Sequence, residues 1–237
     1  MLKPDGRVIM ISGANRGIGS AIAQTLHDLG YCLSLGMRQP ESLRGLREGW
    51  DDTRVLFAHY DALDAATHGA WVAGTISRFG RIDGLINNAG AVVRVTVEDD
   101  KEAELDEMWA VNVKAPLSMT RLALPHLRAV ASGRIVNVAS IAGKAVYNNN
   151  VGYAMTKFAA VALSHATRRA GWEDGVRCTA LCPGFVATDM TSDVETFPHD
   201  QMMEPDDVAQ VVATILSLSN NASIAELVMN CRNDVTM

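Results

Sequence analysis

The chain has no apolar run approaching the ~18–20 residues that a membrane span needs. It also has no internal repeat, low-complexity tract or linker-like shift in composition. These absences argue against a membrane anchor, a solenoid and a string of tethered modules. Positive charge is not in excess: the formal net charge is −6. There is therefore no basic field to hold a phosphate backbone, and nucleic acid is not expected as a partner. Cysteine is sparse, with four in 237 residues. Scattered thiols in a chain of this length read as small buried hydrophobes rather than a disulfide framework. In a strand, Cys178 and Cys182 would share one face about 13 Å apart, and no histidine lies nearby in sequence to complete a zinc site, so no metal is expected. The start, MLKPDGR, leads straight into a strand-like VIMIS, leaving no room for a signal peptide. A cytoplasmic location is the default expectation.

What is present is an ordinary globular composition, 48% hydrophobic and 20% charged. Short β-branched runs alternate with helical patterns. The strand candidates are 8–12, 32–36, 54–58, 84–87, 134–139, 177–182 and 226–230. Most are continuously apolar, as expected where helices cover both faces of a parallel sheet. Ile18, Ile22, Leu26 and Leu29 recur at helical spacing, and Gly30 is placed to end that helix. Asp64 can cap a helix carrying Trp71, Val72, Ile76 and Phe79, stopped by Gly80. Longer helical patterns fill roughly 100–131, 153–171 and 205–218, the first segmented or kinked by Pro116 and Pro125. The pattern predicts an α/β chain over 1–237: a single doubly wound parallel sheet of the Rossmann type, helices on both faces.

The first strand runs into Ser12-Gly13-Ala14-Asn15-Arg16-Gly17-Ile18-Gly19. Glycine accepts positive φ and lets backbone approach a phosphate without a Cβ in the way. The helix that follows then points free N–H groups at a pyrophosphate. Later come Asn87-Asn88-Ala89-Gly90 after the fourth strand and Tyr153-Ala154-Met155-Thr156-Lys157 at a helix start. Tyr153 and Lys157, at i and i+4, stack on one face of a helix. Phenols ordinarily titrate near pH 10, so a tyrosine used as an acid or base near neutrality benefits from an adjacent ammonium. Ser140 ends an apolar strand at the carboxyl edge, where doubly wound sheets bind ligands.

This set, in this order and with GxxxGxG spacing, resembles the compact short-chain dehydrogenases/reductases over about residues 7–230. Ser12 stands where that family usually has threonine. The resemblance implies hydride transfer between a nicotinamide and a small-molecule carbonyl or alcohol. Tyr153 would be the acid/base, Lys157 would tune it and bind the nicotinamide ribose, and Ser140 would hold the substrate carbonyl. Asn112, in Val111-Asn112-Val113, matches the asparagine that holds a relay water. Ser12, Gly13, Asn15, Arg16, Gly17, Ile18 and Gly19 would meet the cofactor from the first turn, and Asn88, Ala89 and Gly90 from the fourth strand. Pro183, Gly184, Val186 and Thr188 would surround the nicotinamide, and Asp61 with Ala62 the adenine.

The second strand ends Leu33-Ser34-Leu35-Gly36-Met37-Arg38, with no carboxylate for adenosine ribose hydroxyls. Arg38 and Arg16 could instead clamp a 2′-phosphate, so NADP(H) is expected over NAD(H). By position, Ala142, Tyr147, Asn150 and Phe185 would line the substrate pocket with Ile141 and Val146. The segment 189–204 is the expected mobile lid, its His199 read as an exposed loop residue. The C-terminal stretch 223–232 keeps a strand but departs from the Val-Asp-Gly-Gly-like close of many compact members. A homodimer through the helices around 105–131 and 153–171 is implied, a tetramer less firmly. A non-catalytic NADP sensor is the competing reading; it would be expected to have lost Tyr153 or Lys157.

Overall fold

A computed structural model describes residues 1–41, 43 and 49–233. Seven strands form one parallel sheet: β1 (Val8–Ser12), β2 (Cys32–Met37), β3 (Val55–His59), β4 (Gly84–Asn87), β5 (Arg134–Val138), β6 (Arg177–Pro183) and β7 (Glu226–Met229). Their order is β3-β2-β1-β4-β5-β6-β7. The chain winds outward from β1 to β3, returns to place β4 on the other side of β1, and winds out again. Between β1 and β4 the connections part in opposite directions, opening a crevice at the carboxyl ends of the strands.

The helices are α1 (Gly17–Asp28), α2 (Ala65–Phe79), α3 (Glu102–Trp109), α4 (Ala115–Ala129), α5 (Val151–Gly171) and α6 (Pro205–Ser217). Side chains alternate across the sheet, so each strand feeds two cores. On one face Ile9, Ile11, Leu33 and Leu35 meet Ile22 and Leu26 of α1 and Val208 and Val212 of α6. On the other, Met10, Leu85 and Ile135 meet Trp71 of α2 and Met119, Ala123 and Leu127 of α4. Farther along that face, Ala180 and Cys182 of β6 pack with Ala160 and Val161 of α5. The continuously apolar strand runs are thereby explained.

Polar side chains lock the central strands to their helices. Asn87 Nδ2 donates to Asn137 Oδ1 at 2.7 Å, and Asn137 Nδ2 donates to Ser164 Oγ of α5 at 2.8 Å. All three residues are buried. Satisfied networks of this kind rigidify a core because any one broken bond leaves a costly buried orphan. At the opposite edge, Arg7 and Arg134 donate to the Leu216 and Leu218 carbonyls at the end of α6. They supply the partners that helix carbonyl ends otherwise miss.

The caps fall where the sequence puts them. Asp64 accepts from the Ala66 amide at 3.0 Å, and Gly80 closes α2 in the left-handed region at φ +75°. Three expectations change. Leu29 lies past the end of α1 and is 49% exposed, so the apolar stripe stops at Leu26. Pro125 sits inside an unbroken α4, and the long 100–131 pattern divides instead at a π-turn, Ala110–Lys114. There the Ala115 amide reaches back five residues to the Ala110 carbonyl. Pro116 accounts for the slip: an α-helix would need its amide for the Asn112 carbonyl, and proline has none. Cys178 and Cys182 are fully buried, and burial pushes their thiols up to about 12 and about 11. Cys32 and Cys231 are only half-buried.

Candidate active site

The glycine turn leaves β1 with Gly13 at φ +67° and Gly17 at φ +51°, backbone that β-carbon residues rarely adopt. A Cβ on Gly13 would stand 3.0 Å from Ala89 Cα, and one on Gly19 only 2.2 Å from the Gly13 carbonyl oxygen. The turn is therefore as tight as its glycines allow. Asn88 fastens it: Nδ2 donates to the Ser12 and Gly13 carbonyls at 3.0 and 3.1 Å. Ser12 is 2% exposed, and its Oγ accepts from the Asn88 and Ala89 amides. Its hydroxyl joins β1 to the end of β4, a positioning task for a residue that the sequence assigned to cofactor contact. Arg16 precedes α1 without capping it through its side chain. The first-turn amides of α1 thus face the crevice with no side-chain cap over them, the arrangement a pyrophosphate fits.

The residues expected at the adenosine end follow β2 and β3. Met37 is 2% exposed and belongs to the core, so the first exposed side chain after β2 is that of Arg38. The Arg38 carbonyl is hydrogen-bonded by His59 Nδ1 at 3.0 Å. Asp61 and Ala62 follow β3, and Asp61 Oδ1 accepts from the Leu63 amide at 3.0 Å. His59 was not singled out by the sequence; its strand pairing with Met37 is a tertiary fact.

At the other end, α5 starts beside β5. Asn150 Oδ1 accepts from the Tyr153 and Val95 amides at 3.3 and 3.1 Å, so this predicted substrate residue serves as a helix cap. Tyr153 is half-buried. Lys157, 8% exposed, donates from Nζ to the Val138 carbonyl at 3.0 Å. Its ammonium lies 5.5 Å from the Tyr153 ring centre. A Cβ on Gly90 would be 3.4 Å from Asn112 Oδ1 and 3.8 Å from Lys157 Nζ. The Asn-Ala-Gly segment, Asn112 and Lys157 therefore converge, although nearly seventy residues separate Gly90 from Lys157.

Asn112, 3% exposed, uses its amide fully. Oδ1 accepts from the Ala91 amide at 2.8 Å, and Nδ2 donates to the Ala91 carbonyl at 2.8 Å and Thr156 Oγ1 at 3.0 Å. Thr156 in turn donates to the Tyr153 carbonyl at 2.8 Å. Sequence reasoning missed Thr156, although it lies inside the Tyr-x-x-x-Lys span. Ser140 follows β5 by two residues; its Oγ accepts from the Ala142 amide at 3.1 Å and retains a hydrogen to donate. The turn after it is pressed on α5, since a Cβ on Gly143 would be 2.5 Å from the Lys157 carbonyl oxygen.

The segment after β6 closes the crevice. A Cβ on Gly184 would be 2.3 Å from Asn230 Oδ1, so the departing C-terminal strand packs directly on Pro183-Gly184-Phe185. Phe185 stacks on Phe197 with ring centres 5.5 Å apart, and Met203 pairs with Val186. Residues 189–204 are thus folded back over the 185–187 stretch, with His199 exposed. Tyr147 and Ala142 are half-buried and Val146 is 64% exposed, whereas Ile141 is 7% exposed and faces the interior. Among the described residues, no group of three or more His, Cys, Asp or Glu side chains is gathered for a metal ion. None of the described helices is long and apolar enough to cross a membrane.

Residues 7–198 match the family model for short chain dehydrogenases. The chain belongs to that family. An agropine synthesis reductase of Rhizobium rhizogenes is 41% identical over 231 residues, covering 96% of this chain and 53% of that protein. The chain thus spans about half the length of that relative. A short-chain dehydrogenase/reductase of Brucella melitensis, described as a glucose/ribitol dehydrogenase, superposes with a TM-score of 0.88 at 26% identity over 97% of both chains. An alcohol dehydrogenase of Thermococcus sibiricus, solved with 5-hydroxy-NADP, superposes with a TM-score of 0.85 at 29% identity, covering 94% of this chain and 95% of that one.

Proposed function

We propose that the protein is an NADP(H)-dependent oxidoreductase acting on a small carbonyl compound or secondary alcohol, with Tyr153 as its acid/base. The observation that carries this reading is the buried Lys157 ammonium beside Tyr153, at the carboxyl ends of β4 and β5 where the glycine turn also opens. The nicotinamide, when bound, supplies or accepts the hydride.

In the reducing direction Tyr153 gives its phenolic proton to the carbonyl oxygen as that oxygen gains charge. In the oxidising direction it takes the hydroxyl proton. The Lys157 ammonium beside the ring would stabilise the negative charge that forms on the phenol oxygen as the proton leaves. Lys157 would also hold the nicotinamide ribose. Ser140 would donate to the substrate oxygen, fixing the carbonyl against Tyr153. Asn112 would maintain the route that returns a proton to Tyr153, because its main-chain carbonyl lies opposite an amide-less Pro116. Ala142, Tyr147 and Phe185 would form a partly apolar pocket. A homodimer through α4 and α5 is supported by Leu117 and Phe158, apolar side chains that are 41% and 44% exposed.

NADP preference is supported by Arg38, exposed at the end of β2, by Arg16 in the glycine turn, and by the lack of an acidic residue in Leu33-Ser34-Leu35-Gly36-Met37-Arg38. The structurally similar Thermococcus sibiricus enzyme was solved with an NADP derivative. The test follows nicotinamide absorbance while ketones, aldehydes, quinones, β-ketoacyl thioesters and alcohols are screened. Turnover with NADPH exceeding NADH is expected, and Arg38→Ala should weaken NADPH binding about tenfold or more while sparing NADH. An equal effect on both cofactors would remove the 2′-phosphate role; no turnover on any class, with tight NADPH binding, would favour a sensor.

A further inference from the structure

The glycine turn and the segment after β6 touch directly. A Cβ on Gly17 would be 3.2 Å from Thr188 Cγ2, so the two walls of the crevice meet at this point. Asp189, the next residue, sits on a fixed turn. The Thr191 hydroxyl donates to the Val186 carbonyl at 2.6 Å and accepts from the Thr188 amide at 3.1 Å. From the opposite wall, Arg16 Nη1 reaches Asp189 Oδ2 at 3.3 Å. The two side chains are 67% and 73% exposed. An ion pair that wet is weak, easily exchanged for a better anion.

Arg16 therefore has two possible anionic partners, and one guanidinium cannot pair fully with both. A 2′-phosphate carries more charge than a carboxylate and presents three oxygens, and it is also repelled by a carboxylate left nearby. With a 2′-hydroxyl in that place there is no such competitor, and the Arg16–Asp189 clasp stays shut. We propose that Asp189 is a cofactor-specificity residue: it holds Arg16 across the crevice and sets back NADP(H) binding by the cost of releasing it.

This inference rests on the reading that Arg16 meets the 2′-phosphate. The test is a set of equilibrium titrations, following quenching of tryptophan fluorescence by NADPH and NADH, on Asp189→Asn, Arg16→Ala and the double variant. Removing the carboxylate charge should tighten NADPH roughly 2- to 5-fold and leave NADH within error. The gain should shrink in concentrated salt, since exposed pairs are screened. It should vanish in the Arg16→Ala background, because the two residues act as one pair. If Arg16→Ala weakens NADPH selectively while Asp189→Asn changes nothing, the clasp is overturned and the arginine's role survives. If Arg16→Ala affects both cofactors equally, the phosphate role falls and the clasp with it. Unchanged thermal melts of Asp189→Asn would tie any affinity change to the pair.

Discussion

The Lys157 ammonium lies 5.5 Å from the centre of the Tyr153 ring while donating to the Val138 carbonyl at 3.0 Å. The strand carbonyl fixes the direction of the lysine, and the helix fixes the tyrosine one turn earlier. Neither side chain needs the other to be held. Tyr153→Phe should therefore fold and bind NADPH as the parent does, yet lose about 10²- to 10⁴-fold in kcat, the usual worth of a positioned general acid. Lys157→Met should lose kcat as well and also weaken cofactor binding. Full turnover in Tyr153→Phe, measured by nicotinamide absorbance with saturating substrate, would end the acid/base assignment.

Gly19 shows how little room the first turn has. Its absent Cβ would lie 2.2 Å from the Gly13 carbonyl oxygen and 2.4 Å from Asn88 Nδ2. Both obstacles are parts of the clamp that shapes the turn, so neither can yield without opening it. Gly19→Ala should cost about 1–3 kcal/mol of stability, as overpacking commonly does, and weaken NADPH and NADH alike. Gly69→Ala is the control, since a Cβ there meets nothing within 4 Å. Equal melting temperatures and cofactor affinities for the two variants would contradict the clamp.

The glycine turn, the Tyr-x-x-x-Lys pair and the positions of the strands were legible because each depends on short spacing. A turn is set by consecutive φ angles, a helix face by i and i+4, and a buried strand by an unbroken apolar run. The rest depends on partners far away in the chain. Nothing local marks Ser12 as a bolt between β1 and β4, or Asn150 as the cap of α5. Asp189 is one more surface acid until the fold brings it to Arg16. The π-turn at Ala110–Lys114 is an intermediate case. Pro116, which has no amide for the Asn112 carbonyl, signals the break, while the grip of Asn112 on Ala91 shows only in the fold.

Asn112 makes three hydrogen bonds at 2.8, 2.8 and 3.0 Å while nearly excluded from water. Asn112→Ala would take this partner from the half-buried Ala91 amide and carbonyl, at up to about 1–3 kcal/mol for each group that water does not reach. A lowered Tm is expected. Because Thr156 links Asn112 to the Tyr153 carbonyl, kcat should fall too. Asn112→Asp keeps the volume and the acceptor but loses the donor, and should melt below the parent. A Tm equal to the parent in both variants would show that the Ala91 loop is held by other contacts.

Glu226 joins three elements that the site depends on. From the edge strand β7 its carboxylate takes the Lys144 ammonium and lies 2.5 Å from His165 Nε2. Lys144 belongs to the turn after Ser140, and His165 lies two helical turns beyond Lys157 on α5. Hydrogen bonds from Lys144 and then from His165 hold the Glu226 carboxyl below its ordinary value of 4.5. Since the folded value is depressed, the stabilisation is complete above about pH 4.5 and is lost as pH falls through the folded value. The Lys144 ammonium is shifted the other way, upward from 10.5 by the same pair. Its share persists through neutrality and fades only as pH rises past that range. Glu226→Gln should therefore be less stable than the parent in urea at pH 7, with the gap narrowing at pH 3. The side chains are 24–45% exposed, so the loss at pH 7 should be modest, and added salt should reduce it. A gap of the same size at pH 3 and pH 7 would assign the effect to lost packing rather than to charge.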